Sequence, residues 1–312
     1  MAITAGMVKE LRETTGAGMM DCKKALNETD GDMAAAVELL RKNGQAKAEK
    51  KAGRIAAEGL CSVVVEGDTK AAVVEVNSET DFVAKNEEFQ NFVKAVATQA
   101  MGSDAADMDT FMTEAWVEDA AMTVKEALTS KIARIGENLT IRRFEKVVAE
   151  NGCVVSYVHG GGRIGVVVEA TTDVVNDEIK TAMSNIAMQV AALAPQYVSH
   201  DEVSEEYKAH ETEIIKAQIE NDPKMAGKPE KVILGAVSGR LNKQLKEVCL
   251  LDQTYVKAED GKQTVAAYVA EVAKATGSTF ALKKFVRFET GEGIEKVESD
   301  FAAEVAAQVA GN

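Results

Sequence analysis

The sequence predicts an α+β protein, and three observations predict it. Apolar residues recur at helical spacing as far as Gly44, a strand–turn–strand pattern followed by a helix comes next, and that unit then occurs a second time. Pairing of neighbouring hairpins gives antiparallel sheets with helices packed on one side.

The N-terminal stretch reads as three short helices. Thr4 is placed to cap the first, whose Met7, Val8 and Leu11 share a face. Gly16-Ala17-Gly18 interrupts the chain, and Cys22, Ala25 and Leu26 mark the second helix. Asp30-Gly31-Asp32 interrupts it again before Met33, Val37 and Leu40, with Gly44 expected to close the third. The basic stretch Lys47 to Arg54 tethers this module to the rest of the chain. It reads as a solvated helix face or a contact to an acidic protein partner.

From Leu60 the period becomes that of strands. Cys61 to Glu66, the turn Gly67 to Lys70, and Ala71 to Asn77 make a hairpin. Asn86 can cap the next helix, with Glu87 and Glu88 in its first turn and Phe89, Val93, Val96 and Ala100 on one face. An acidic loop, Met101 to Asp109, precedes a helix expected around Glu114 to Leu128 that would carry the lone Trp116. A strand is expected over Leu139 to Val148. The second unit runs Cys153 to Val158, a turn from His159 to Arg163, Ile164 to Ala170, then a helix bearing Ile179, Met183, Ile186 and Val190. Aligned without a gap, Cys61 matches Cys153, and Thr80-Asp81-Phe82-Val83 matches Thr172-Asp173-Val174-Val175.

Pro195 ends that helix. A helical hairpin inserted in the core is read over Asp201 to Gln244, broken between Asn221 and Pro229. A strand from Phe280 to Glu289, the loop Gly291-Glu-Gly293 and a last helix with Val297, Phe301 and Val305 finish the chain.

Composition narrows the function. With 312 residues, 46% hydrophobic and 28% charged, the chain has apolar side chains enough for more than one core. A net charge of −14 argues against direct nucleic-acid binding, since a polyanion is repelled on average. Met1 to Lys9 has neither a basic nor an apolar leader region, and no apolar run reaches the roughly 18 residues of a membrane span. Four scattered cysteines without C-x-x-C suggest neither a disulfide framework nor a zinc site, and fit a cytoplasmic setting.

The motifs favour binding over catalysis. Gly160, Gly162 and Gly165 satisfy G-x-G-x-x-G, but a strand runs in and a strand runs out, so a glycine-rich hairpin turn is the expected role. Gly261-Lys262 is followed by Gln263, which excludes a P-loop. His159, His200 and His210 show no metal-ligand spacing, and no nucleophile comes with its partners. No catalytic residue, metal or cofactor is therefore expected. Two segments remain conspicuous. Leu11 to Leu26 sets the adjacent Met19 and Met20 beside a glycine-flanked loop, where at least one is expected to be exposed as an adaptable apolar knob. Glu75 to Lys85 leaves a strand, enters a helix and puts Phe82 in the connection. The ungapped alignment sets Val174 opposite Phe82, so Phe82 reads as larger than the architecture requires.

Those two segments, with Lys131 to Asn138, Arg142-Arg143, His159 to Gly165, Arg287 to Glu289 and Gly291 to Lys296, resemble the signature stretches of the bacterial elongation factor Ts family. The resemblance spans nearly the whole chain. It implies a three-helix, ubiquitin-associated-like domain over 1–54 and a core subdomain over 55–150. A second core subdomain is split over 151–200 and 245–290 by a coiled-coil-like hairpin over 201–244, and a C-terminal helical module covers 291–312. It implies no bond chemistry but nucleotide exchange on elongation factor Tu, bound with GDP or free of nucleotide. Thr80, Asp81, Phe82 and Val83 would disturb the Mg²⁺ site of that GTPase. Arg12, Met19, Met20 and Lys23 would contact the same GTPase domain, and His159 and Val256 would touch the partner elsewhere. A homodimer contact through the inserted hairpin is a further implication. The rival reading is a helical adaptor that binds without driving exchange.

Overall fold

The computed structural model describes residues 2–225 and 227–295. The C-terminal helix expected around Val297, Phe301 and Val305 lies outside the described residues. Helices α1 (Ala5–Thr15), α2 (Met19–Glu28) and α3 (Met33–Lys51) form the N-terminal module around buried Leu11, Cys22, Leu26 and Ala36. Thr4 caps α1, its Oγ1 accepting from Met7 N–H at 3.3 Å. The third helix does not stop at Gly44. It runs through to Lys51, with Gly44 buried where an added Cβ would lie 3.4 Å from the Ala133 methyl. The glycine lets α3 lie close against α7 (Val124–Ile135), and this packing outweighs its poor helix propensity.

Strands β1 (Glu58–Glu66), β2 (Lys70–Ser78) and β5 (Leu139–Val148) form an antiparallel sheet in the order β1-β2-β5. Strands β6 (Gly152–His159), β7 (Ile164–Thr172) and β8 (Phe280–Glu289) form another in the order β6-β7-β8. Helices α5 (Glu87–Gly102) and α7 cover the outer face of the first sheet around Phe89, Phe92 and Val96. Helices α8 (Asp177–Leu193) and α11 (Val265–Thr276) cover the second around Ile179, Met183 and Ile186. The inner faces meet through Cys61, Val73, Val154, Val167 and Phe288. The mixed, antiparallel plan expected from the sequence is thus present.

The glycine motif belongs to that sheet-on-sheet contact. Gly162, at φ 104°, sits where a Cβ would lie 2.8 Å from Leu60, and a Cβ on Gly165 would lie 3.0 Å from that of Cys61. The contact is reciprocal. Cys61 N–H donates to Gly162 O at 2.6 Å, and Val154 N–H donates to Asp68 O at 2.8 Å, each strand receiving the other hairpin's turn.

This reciprocity corrects the ungapped match. Val154, not Cys153, is the counterpart of Cys61. A one-residue slip turns a side chain to the opposite face, and Cys153 points to α8 while Cys61 points between the sheets. Gly59 and Gly152, at φ 130° and 148°, open the two first strands, and the central strands carry bulges at Glu75/Val76 and Glu169/Ala170. Glu79 accepts from Asn138 N–H at 2.5 Å just before β5, and Asp173 accepts from Thr279 N–H at 2.7 Å just before β8. Ser78 and Thr172 are then equivalent, each hydroxyl donating to the carbonyl two residues on. Seven residues separate Ser78 from the cap Asn86, whereas three separate Thr172 from the cap Asn176. The first copy therefore has extra chain at this point, and Phe82 has no counterpart at Val174.

Two further expectations change. The helix placed around Glu114 to Leu128 is a helix α6 (Met108–Thr113), a small hairpin of β3 (Ala115–Trp116) and β4 (Asp119–Thr123), and then α7. Trp116 is buried beside Phe92 with ring centroids 5.6 Å apart, and a capping box between Thr123 and Glu126 fixes the real helix start. Helix α11, capped by Thr264, is an addition to the elements expected from the sequence. Between α8 and β8 stand the antiparallel helices α9 (Glu205–Glu220) and α10 (Glu230–Val248), joined by a seam of Ile215, Ile219 and Val237. Among the described residues, no helix is long and apolar enough to cross a membrane.

Candidate partner-binding site

The extra chain after β2 folds into one short turn of helix, α4 (Asp81–Ala84). Thr80 caps it, its Oγ1 accepting from Val83 N–H at 3.4 Å, and Ser78 Oγ donates to Thr80 O at 3.0 Å. Glu137, in the loop between α7 and β5, grips Thr80 twice. Its carboxylate accepts from Thr80 N–H at 3.0 Å and from Thr80 Oγ1–H at 2.6 Å. Asp81 pairs with Lys85 at 2.6 Å, and that hydrogen bond holds its carboxyl below the usual aspartate range. Phe82 projects from this tied-down turn with 80% of its surface exposed, while Val83 is half-buried and Ala84 packs into the first core. An aromatic exposed on a braced turn loses little conformational freedom when something buries it.

The grip on Thr80 belongs to a wider frame. Asn138 Nδ2 donates to Arg54 O at 2.7 Å, Arg54 reaches Glu79 at 3.4 Å, and Lys51 donates to Gly136 O. Lys47 pairs with Asp21 on α2 at 2.8 Å, and Arg41 pairs with Glu126 on α7 at 2.9 Å. The basic stretch expected to face solvent or an acidic partner is therefore largely spent within the chain. Arg134 of α7 pairs with Glu88 of α5 at 2.8 Å and lies against Gly16. Helix α7 and the loop that follows it thus reach both the loop before Met19, through Arg134, and the turn bearing Phe82, through Glu137.

On the N-terminal module, Met19 is 58% and Met20 73% exposed, so both methionines face outward, where the sequence predicts at least one. Arg12 and Lys23 are exposed on α1 and α2. His159 is exposed at the end of β6, with its Nδ1 2.9 Å from the Tyr157 hydroxyl. Val256 is 47% exposed, yet its N–H donates to the buried Gln189 at 2.7 Å, which fixes the backbone beneath it. The candidate residues therefore occupy separate stations: the α4 turn, the N-terminal module, the end of β6 and the segment before α11.

The pattern missed Glu137 and Glu79, since nothing local marks a carboxylate that acts across 57 residues on Thr80. The other signature stretches have a structural use. Glu75, fully buried, receives Arg142 at 3.0 Å, Arg143 at 2.6 Å and Gly291 N–H at 2.8 Å. Burial pushes its carboxyl up, but the hydrogen bonds from Gly291, Asn77 and Arg142 and the charge of Arg143 prevail, leaving it below the usual range. Arg143 also stacks over Phe288 at 4.3 Å. Burial pushes the Cys61 and Cys249 thiols up to about 11, away from the thiolate a nucleophile needs.

The family model described as Elongation factor TS matches residues 79–292, more than half of the chain. Elongation factor Ts of Clostridioides difficile (strain 630) is 54% identical over 308 residues, covering 98% of this chain and 99% of that one. The protein of the same name from Clostridium novyi (strain NT) is 52% identical over 308 residues, with the same coverage. That of Trichlorobacter lovleyi is 47% identical over 312 residues, covering 98% of each. The chain belongs to the elongation factor Ts family.

Proposed function

We propose that this chain promotes the release of GDP from elongation factor Tu, with the α4 turn as its wedge. The observation that carries the reading is Phe82, 80% exposed on a turn that the second half of the core lacks. Thr80 and Asp81 shape and charge the turn, Phe82 enters the GTPase domain, and Val83 anchors the turn's inner side. Displacement of the Mg²⁺ that helps hold GDP follows from that entry.

Exchange needs no bond chemistry. A factor shifts the GTPase only through its preference for one state, so it binds the nucleotide-free form more tightly than the closed, GDP-bound form. Linkage then makes incoming nucleotide weaken the factor's hold by the same ratio, which releases it. A wedge alone binds weakly, and a second surface supplies the remaining affinity. Arg12, Met19, Met20 and Lys23 fit that role on the N-terminal module, which we read as ubiquitin-associated-like, with His159 and Val256 as contacts to the partner elsewhere. The divisions at 1–54, 55–150, 151–200, 201–244, 245–290 and 291–312 belong to the same proposal, as does a homodimer contact through the α9–α10 pair.

Release of a fluorescent GDP analogue from elongation factor Tu, with and without micromolar protein, tests the proposal. Acceleration supports it. Stable binding without acceleration would favour the adaptor reading instead.

A further inference from the structure

The base of the α9–α10 pair gathers three metal-ligand side chains that the exchange reading leaves unused. His200 opens a 3-10 turn, His200–Glu202, that leads into α9. Cys249 ends α10, and Asp252 closes the adjoining 3-10 turn Leu250–Asp252. The fold holds these two segments side by side: Tyr197 and Cys249 form a parallel bridge, and Leu250 N–H and Leu251 N–H donate to Tyr197 O and Val198 O at 2.8 and 3.0 Å. Among the described residues, His200, Cys249 and Asp252 each offer a ligand atom within 4.8 Å of the others.

A second observation points to a ligand at this spot. His200 Nε2 lies 3.2 Å from Asp252 Oδ2, yet that buried nitrogen makes no hydrogen bond. An imidazole–carboxylate ion pair kept for its own sake would turn the N–H onto the carboxylate oxygen. Close approach without alignment is instead how two ligands of one ion stand. Tetrahedral bonds of about 2.0–2.2 Å set an N and an O donor roughly 3.3–3.6 Å apart, close to the observed separation, their lone pairs converging on the metal rather than on each other.

We propose that His200, Cys249 and Asp252 bind one zinc-class divalent ion that fastens the base of the α9–α10 pair to the core. The donor set decides the class. One thiolate, one imidazole and one carboxylate suit borderline ions such as Zn²⁺ and Co²⁺, whereas Mg²⁺ and Ca²⁺ demand oxygen. Water completes four-coordination. On uptake the Cys249 S–H bond is replaced by an S–metal bond and its proton leaves to solvent, while His200 coordinates as the neutral imidazole. Sequence spacing could not show this site, because His200 and Cys249 are brought together only by the return of α10 along α9.

The test is a titration of the full chain, stripped with chelator and kept reduced, with Co²⁺ alone. We expect one Co²⁺ per chain, with a near-ultraviolet sulfur-to-cobalt charge-transfer band and the intense visible bands of a tetrahedral site, both abolished by Zn²⁺. Cys249→Ser should remove the charge-transfer band. His200→Ala, at a half-exposed position whose loss leaves the core intact by circular dichroism, should weaken uptake strongly. Cys22→Ser, in the N-terminal module, should leave both bands unchanged. Weak octahedral bands only, or spectra unaffected by Cys249→Ser and His200→Ala, would overturn the proposal.

Discussion

Glu137→Ala isolates what holds the proposed wedge in place. Glu137 makes two hydrogen bonds to Thr80, at 3.0 Å to the N–H and 2.6 Å to the hydroxyl. Hydrogen bonds to a charged group contribute about 1.5–3 kcal/mol each when well buried, and these are only part-buried, so about 1 kcal/mol each applies. Losing both should cost about 2 kcal/mol at the turn. Little of this should reach global stability, because the strands and α5 retain their packing. The turn should instead sample conformations in which Phe82 is misdirected. A turn loosened to that degree would hold its working geometry a few per cent of the time, and exchange should slow by roughly tenfold or more. A double-mutant cycle with Phe82→Ala decides the mechanism. If Glu137 acts by aiming Phe82, removing Glu137 should cost almost nothing once the ring is gone. An equal slowing by Glu137→Ala in both backgrounds would refute the positioning role, as would normal exchange in the single variant.

The remaining expectations are simpler. Replacing Met19 and Met20 together with Ala should weaken binding to nucleotide-free elongation factor Tu by about tenfold without lowering the melting temperature, since both side chains are more than half exposed; titration calorimetry and a thermal melt check the two halves. The depressed Glu75 carboxyl should contribute stability that is complete above its unfolded pKa, near 4.5, and lost as pH falls through its lower folded value. Denaturant midpoints should therefore fall with pH below that point in the wild type, and less steeply in Glu75→Gln. Gly165→Ala should destabilise the sheet-on-sheet contact by about 1–3 kcal/mol, because the new methyl meets Cys61 Cβ at 3.0 Å and Val73 Cγ2 at 3.2 Å. A denaturant titration shows it, and an unchanged midpoint would mean that the sheets can part to admit a methyl.

Local chemistry is legible where local forces decide. Thr4 and Asn86 cap the helices their positions suggest, and both hairpins and the Leu139–Val148 strand stand where alternation puts them. Trp116 escapes a local reading because burial beside Phe92, a tertiary fact, overrides any local preference, although the Thr123–Glu126 capping box already marks the true start of α7. Gly44 looks like a helix end because close packing on Ala133 leaves no trace in the sequence around it. The duplicated plan is legible but its register is not. Residue similarity favours Cys61 with Cys153, and only hydrogen bonding across the two sheets shows that the faces then disagree. That correction strengthens the candidate site. Phe82 is not an enlarged Val174 but sits on chain the other copy does without, braced by a glutamate far away in sequence.

The central claim is that Phe82 acts on a partner and not on its own core. The direct measurement is the rate of GDP release from elongation factor Tu driven by Phe82→Ala, taken with a thermal melt of the same preparation. With 80% of its surface exposed, the ring contributes little to folding, so melting should be unchanged. Loss of an aromatic hot spot of about 2 kcal/mol should slow release by roughly thirtyfold. Native melting with release at the wild-type rate would contradict the account, and so would a lowered melting temperature with normal release per folded molecule.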